Sequence, residues 1–209
     1  MEKQQEIKVQ LQLTTGYVHP QNQWVNPTGG FGYHEFDLEG IYIPGQRSPR
    51  KRLSVYQQFV SFDQKTIVDF GCNVGGMLFH LPQVKQGVGL DFDIKCINAA
   101  NNIKGILNRP ELAFHWFDFD NVALSLLDRL LPPTIDYIFL LAIGGWVRNW
   151  QDLFTYALNT KAEIIYESHI NRDGWEKWEP LHLAILTSQG YQATKIHSDA
   201  ERNTYWIHR

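Results

Sequence analysis

The residues whose types and spacing carry the most chemistry lie in VDFGCNVGG, residues 68–76, and in two acids downstream, Asp91 and Asp118. An apolar run, TIVDF, carries Asp69 and leads into Gly71. Gly75 and Gly76 then open a helix-length segment, and a second apolar run, GVGLD, ends in Asp91, 20 residues after Gly71. Glycine lets a backbone approach a nucleoside, and a carboxylate at the end of the next strand can accept hydrogen bonds from both ribose hydroxyls. The spacing therefore points to a nucleoside-bearing ligand. A dinucleotide fingerprint counted from Gly71 fits less well, because position 73 is Asn and Gly75 comes one residue before the third glycine is due. A tight strand-to-helix turn with no ligand is the plain alternative.

Such residues need a scaffold that brings strand ends together. From Thr66 onward, apolar runs at TIVDF, GVGLD, LAFHWF, IDYIFLLA and AEIIYE alternate with helix-length segments. That rhythm predicts an α/β, doubly wound, mostly parallel sheet. The last third predicts a helix over 180–188 and two β-runs, 191–197 and 204–208, whose short SDAERN connection requires an antiparallel pair. Upstream, the alternation of Ile7, Val9, Leu11 and Leu13 predicts a strand. Residues 15–34 read as a lid or irregular arm, and residues 33–43 as an extended piece. Ser48-Pro49 reads as the N-cap and first residue of a helix with Leu53, Tyr56, Phe59 and Val60 as its buried stripe.

At 209 residues the chain suits one α/β domain. We expect an N-terminal arm over 1–50 packed on a core of 51–209. The net charge of −3 supplies no overall drive toward nucleic acid or anionic membrane. Two cysteines, Cys72 and Cys96, make no disulfide framework or zinc site, and no run is long and apolar enough to span a bilayer. A cytoplasmic setting is the expectation.

In its motifs the chain resembles the class I S-adenosylmethionine-dependent methyltransferases over about residues 33–209. Their first motif, an acid followed by G-x-G-x-G, is matched at Asp69, Gly71 and Gly75 and departs at Asn73. The resemblance implies S-adenosylmethionine as cofactor and a Rossmann-like, seven-stranded fold with an antiparallel C-terminal strand. It assigns ribose binding to Asp91, adenine packing to Phe92, and contact with the adenine amino group to Asp118, flanked by Phe117 and Phe119. PGQRSPRKR, residues 44–52, sets cations in the first turn of a helix, where the macrodipole disfavours them. An anion nearby would account for that, and the resemblance implies the cofactor carboxylate, gripped by Arg47 or Arg52.

Because a sulfonium already activates its methyl group, transfer needs only alignment and, where necessary, proton removal. The fourth strand ends in Ile143, Gly144, Gly145 and Trp146, not the N/D-P-P-Y of amino-group methyltransferases. The fifth ends in Tyr166, Glu167, Ser168 and His169, making Glu167 and His169 the acid-base candidates. Glu167, His169, His182 and His197 lack a compact metal-ligand spacing, so no metal is expected. The leading expectation is methyl transfer to a small-molecule or sugar-like hydroxyl. RNA or tRNA methylation, with Arg47, Arg50, Lys51 and Arg52 on phosphates, is one alternative, and a catalytically silent cofactor- or partner-binding module is another.

Overall fold

The computed structural model describes residues 2–15, 32–169 and 177–209. Its centre is a seven-stranded sheet of β3 (Thr66–Phe70), β4 (Gln86–Asp91), β5 (Leu112–Trp116), β6 (Tyr137–Leu141), β7 (Glu163–Glu167), β8 (Gln192–Ser198) and β9 (Asn203–His208). The spatial order is β5-β4-β3-β6-β7-β9-β8. The first five of these are mutually parallel, while β9 runs antiparallel to both β7 and β8. Every residue of β3 is buried, as expected for a central parallel strand covered on both faces. The chain steps outward from β3 to β5 and then crosses back to β6. In open α/β sheets such a reversal, here at the carboxyl ends of β3 and β6, is where ligands bind.

Helices α2 (Pro49–Tyr56), α3 (Gly76–Phe79), α4 (Ile94–Leu107), α5 (Trp150–Asn159) and α6 (Trp178–Leu186) cover the sheet. Ser48 caps α2 by accepting from the Lys51 amide, with Pro49 inside the first turn as expected. Asp93 caps α4 in the same way through the Lys95 amide at 2.8 Å. One core cluster joins Leu53, Tyr56, Ile67, Leu78 and Ile103, and a second, opposite, joins Val68, Ile138, Leu153, Phe154 and Ile164. No described helix is long and apolar enough to cross a membrane.

Three expectations for the N-terminal third are corrected. Residues predicted as a strand form α1 (Glu2–Thr15): Ile7 and Leu11, one helical turn apart, are buried, whereas Val9 and Leu13 are exposed. The alternation matched only half of the burial, and the Gln, Glu and Lys between the apolar residues are good helix formers. The extended piece is a hairpin of β1 (Phe36–Leu38) and β2 (Ile41–Ile43), turned by Gly40 at φ +71°. Helix α2 stops at Tyr56, so Phe59 is exposed while Leu53, Tyr56 and Val60 are buried. The hairpin sits on α3, where Phe36 packs against Phe79 and the Asp37 amide donates to His80 Nε2 at 3.0 Å. Most of the expected lid, residues 16–31, lies outside the described residues.

Candidate active site

Three left-handed residues shape the loop after β3. Gly71 has φ +78° and donates its amide to Leu90 O at 2.8 Å, tying the loop to the end of β4. Asn73 has φ +52°, and Gly75 has φ +76°. Asn is among the few side chains that tolerate this region, so the departure from glycine at position 73 keeps the backbone a glycine would adopt. Asn73 Oδ1 accepts from the Val74 amide at 2.9 Å. The Asn73 amide in turn donates to Asp91 Oδ2 at 2.8 Å, while Asp91 Oδ1 accepts from the Asp93 amide at 2.9 Å. Gly76 is required for a different reason, since an added Cβ would lie 2.5 Å from the His34 ring.

Asp69 and Asp91 are buried beside this loop, 2% and 7% exposed. Burial pushes the Asp69 carboxyl up to about 7; Arg52 opposes the shift, and Asp91 and Glu167 add to it. Burial pushes Asp91 up to about 6 against the amide bonds from Asp93 and Asn73. Two carboxyls held this high favour a partner that brings hydrogen-bond donors or positive charge. Phe92 stands exposed at the rim, and the indole of Trp116 donates to its carbonyl at 2.7 Å. Asp118 lies at the same edge after β5. Its oxygens accept from the Asp120 amide at 2.9 Å and from Asn121 Nδ2 at 2.8 Å, and the Asn121 bond leads the causes that hold its pKa down. It thus serves as a turn cap, with lone pairs remaining. Phe119, expected beside Asp118 at the cofactor site, turns into the core, with its ring centroid 5.4 Å from that of Phe70 and 5.2 Å from that of Phe117.

Beyond Asp69 lies a buried ionic cluster that spacing did not reveal. Glu167 accepts from Arg52 Nε at 3.1 Å and Nη2 at 2.7 Å, from Arg202 Nη1 at 2.8 Å, and from the Tyr56 hydroxyl. Burial pushes its carboxyl up, but Arg52 and Arg202 outweigh this and bring it down to about 2. A carboxylate so held is a poor proton acceptor, which corrects the expected acid-base role of Glu167. Arg52 turns its fork to Glu167 instead of standing ready for a ligand. Arg47 pairs with Glu201 in the turn between β8 and β9, and Arg50 pairs with Asp37 at 2.7 Å. Three of the four cations expected to contact phosphate are therefore engaged within the chain. Two arginines against one ionised glutamate still leave an excess of positive charge. Two atoms near it, His34 Nδ1 and Arg202 Nε, are buried without a hydrogen-bond partner among the described residues. Burial, then Arg52, holds His34 well below the usual histidine range, so its ring is neutral.

On the other side of Glu167 is a narrow cleft between the end of β6, the end of β7 and α6, with about 10 Å³ of free interior, room for about one water-sized atom. Gly144, Ser168, His169, Trp178, Glu179 and His182 face it. Glu179 accepts from Ser168 Oγ, from Asn203 Nδ2 at 2.8 Å and from the Tyr205 hydroxyl at 2.8 Å. Burial raises its carboxyl, but these bonds prevail and the pKa falls below the ordinary value. His182 Nδ1 meets the Tyr166 hydroxyl at 2.7 Å, while its Nε2 is buried without a partner among the described residues. Glu167 and His169 thus share the carboxyl end of β7, but only His169 is a candidate for proton transfer. Trp175, which follows the same strand, lies outside the described residues. Among the described residues, no group of three or more His, Cys, Asp or Glu is arranged to hold a metal ion. Arg202, Glu179 and the partners of His182 went unforeseen because their contacts join separate elements, from 11 residues apart for Glu179 and Ser168 to 169 for Arg202 and Tyr33.

No family model and no curated relative matches the sequence. Solved structures do match. EvdMO1 is 18% identical with a TM-score of 0.63 over 99% of this chain, which spans only 46% of that protein. The N-terminal domain of EvdMO1 with SAH bound is 16% identical, with a TM-score of 0.62 and 99% and 96% of the two chains covered; a structure of that domain in the presence of SAH and D-fucose matches equally well. A SAM-dependent methyltransferase from Aquifex aeolicus is 15% identical, with a TM-score of 0.60 over 76% of this chain and 88% of that one. Magnesium protoporphyrin IX methyltransferase from Synechocystis PCC 6803, with bound SAH, is 12% identical, with a TM-score of 0.56 over 77% and 81%. Sheet order, strand directions and these likenesses agree that the chain has the Rossmann-like fold of the class I S-adenosylmethionine-dependent methyltransferases.

Proposed function

We propose that this protein is an S-adenosylmethionine-dependent methyltransferase whose acceptor is a small-molecule or sugar-like hydroxyl. The observation that carries the reading is the loop from Gly71 to Gly75, clasped to Asp91 through the Asn73 amide and set beside a buried Asp69 at the point where the strand order reverses. Bound there, S-adenosylmethionine would supply an electrophilic methyl group. Asp91 would accept from the ribose hydroxyls with its remaining lone pairs, Phe92 would pack on adenine, and Asp118 would receive the adenine amino group. Asp69 suits an ammonium group, and the cationic excess of Arg52 and Arg202, with the unpartnered Arg202 Nε and His34 Nδ1, suits a carboxylate. Arg47, turned toward Glu201, has no part in this reading.

The mouth of the cleft beside β7 would receive the acceptor, and His169 is the group we assign to take its hydroxyl proton as the oxygen is methylated. Aromatic walls with a few converging polar groups favour a hydroxylated ring. The likeness to a domain studied with SAH and D-fucose points the same way. A labelled-methyl assay with D-fucose, other monosaccharides, small phenols and RNA tests the reading. We expect transfer to a hydroxylated small molecule, abolished in Asp91→Ala and reduced in His169→Ala. Transfer to RNA alone would overturn the acceptor assignment.

A further inference from the structure

We propose that His182 binds the methyl acceptor by donating its Nε2 hydrogen to an acceptor oxygen next to the one that is methylated. The inference deepens the proposed function and rests on it. Its basis is a local accounting of hydrogen bonds. The His182 ring is 4% exposed and boxed by Trp150, Phe154 and Trp178, with ring centroids at 4.5, 5.1 and 6.2 Å. Among the described residues, the Tyr166 hydroxyl has one hydrogen-bond partner, His182 Nδ1. The phenol therefore donates there, leaving Nδ1 as acceptor and placing the hydrogen of a neutral ring on Nε2. Burial keeps the ring neutral by bringing its pKa down to about 4, with Glu179 opposing.

That leaves a buried N–H donor without an acceptor among the described residues, an arrangement a folded protein rarely leaves unmatched. It faces the cleft at Gly144, where a Cβ would come within 2.5 Å of His182 Cε1 and 2.9 Å of Nε2. Glycine is the residue that fits against this edge of the ring, and the free interior beside it has room for about one water-sized oxygen. A ring so wedged, neutral and with its basic nitrogen already occupied, cannot take the hydroxyl proton. A donor to the attacking oxygen would also draw off the lone pair that attacks. The oxygen it serves is therefore a neighbouring hydroxyl or ring oxygen, so the cleft selects acceptors with at least two adjacent oxygens, as in a sugar.

Two measurements test this. Long-range ¹⁵N–¹H spectra of the ligand-free protein at pH 7 read the ring directly, and we expect the neutral, Nε2-protonated form. An Nδ1-protonated or charged ring overturns the proposal. D-Fucose is then titrated into SAH-saturated protein. His182→Phe keeps the aromatic box and SAH affinity but weakens D-fucose about 10-fold, the worth of one hydrogen bond. His182→Gln, which restores an N–H donor, recovers most of the loss, and Gly144→Ala reproduces it by displacing the ring. Unchanged D-fucose affinity in His182→Phe, or no D-fucose binding to SAH-loaded wild type, overturns the proposal. Failure of wild type to bind SAH at all counts against the methyltransferase reading instead, while the spectra still report on the donor.

Discussion

The two halves of the sheet's carboxyl edge treat their acids in opposite ways. Beside β3 and β4, Asp69 and Asp91 are buried and form no ion pair among the described residues, and burial pushes both carboxyls up, to about 7 and about 6. Beside β7 and α6, Glu167 and Glu179 accept three or more hydrogen bonds each, and both are held below the usual carboxylate range. The first pair is electrostatically unfinished and suited to receive a ligand. The second pair is complete and works as a frame. Acidity alone does not mark a catalytic group; what matters is whether its charge has already been answered inside the fold.

The sharpest way to break this contrast is to remove an acid from each half. Glu167→Gln strands two buried arginines, and such a loss typically costs about 3–5 kcal/mol; urea unfolding at pH 7 is expected to show a drop of that order. A loss under about 1 kcal/mol would mean that the cluster is not a frame. Asp69→Asn is expected to do the reverse. Because its folded pKa lies above the unfolded value, the Asp69 contribution is full below about pH 4 and is lost as pH rises through about 7. The Asn variant should therefore gain on wild type between pH 5 and pH 8.

Histidine burial has its own signature. His182 is depressed to about 4, so its contribution is present above about pH 6.5 and is lost as pH falls through about 4. His182→Phe should consequently flatten the acid limb of the unfolding profile, and an unaltered limb would remove the histidine from the account. The smallest effect concerns the loop. Asn73→Ala is expected to cost about 1–2 kcal/mol for a left-handed residue, whereas Asn73→Gly should stay within about 0.5 kcal/mol of wild type. Equal values for the two variants would show that the backbone there is not constrained.

The same contrast explains what could be read in advance. The β3 loop and Asp91 were legible because their geometry is local: glycines at fixed intervals, apolar runs of strand length, and an acid at the next strand's end. The parallel sheet and the antiparallel β8–β9 pair were legible for the same reason. Glu167 was correctly placed at the end of β7, but its role was misread because the partners that decide it, Arg52 and Arg202, lie 115 and 35 residues away. Helix α1 was misread because Ile7 and Leu11 satisfy a period of two as well as a helical turn. Phe119 was expected beside Asp118 at the cofactor site, but neighbouring position along the chain does not tell which way an aromatic ring turns.

The central claim is that the unfinished half of the edge is a cofactor site. Titration calorimetry of S-adenosylhomocysteine into wild type and Asp91→Ala tests it most directly. The account predicts one site per chain in wild type and affinity about 100-fold weaker in the variant, equivalent to about 2.7 kcal/mol of hydrogen bonding to a charged acceptor. Folded wild type that takes up no S-adenosylhomocysteine, or a variant that binds it equally well, would contradict the claim.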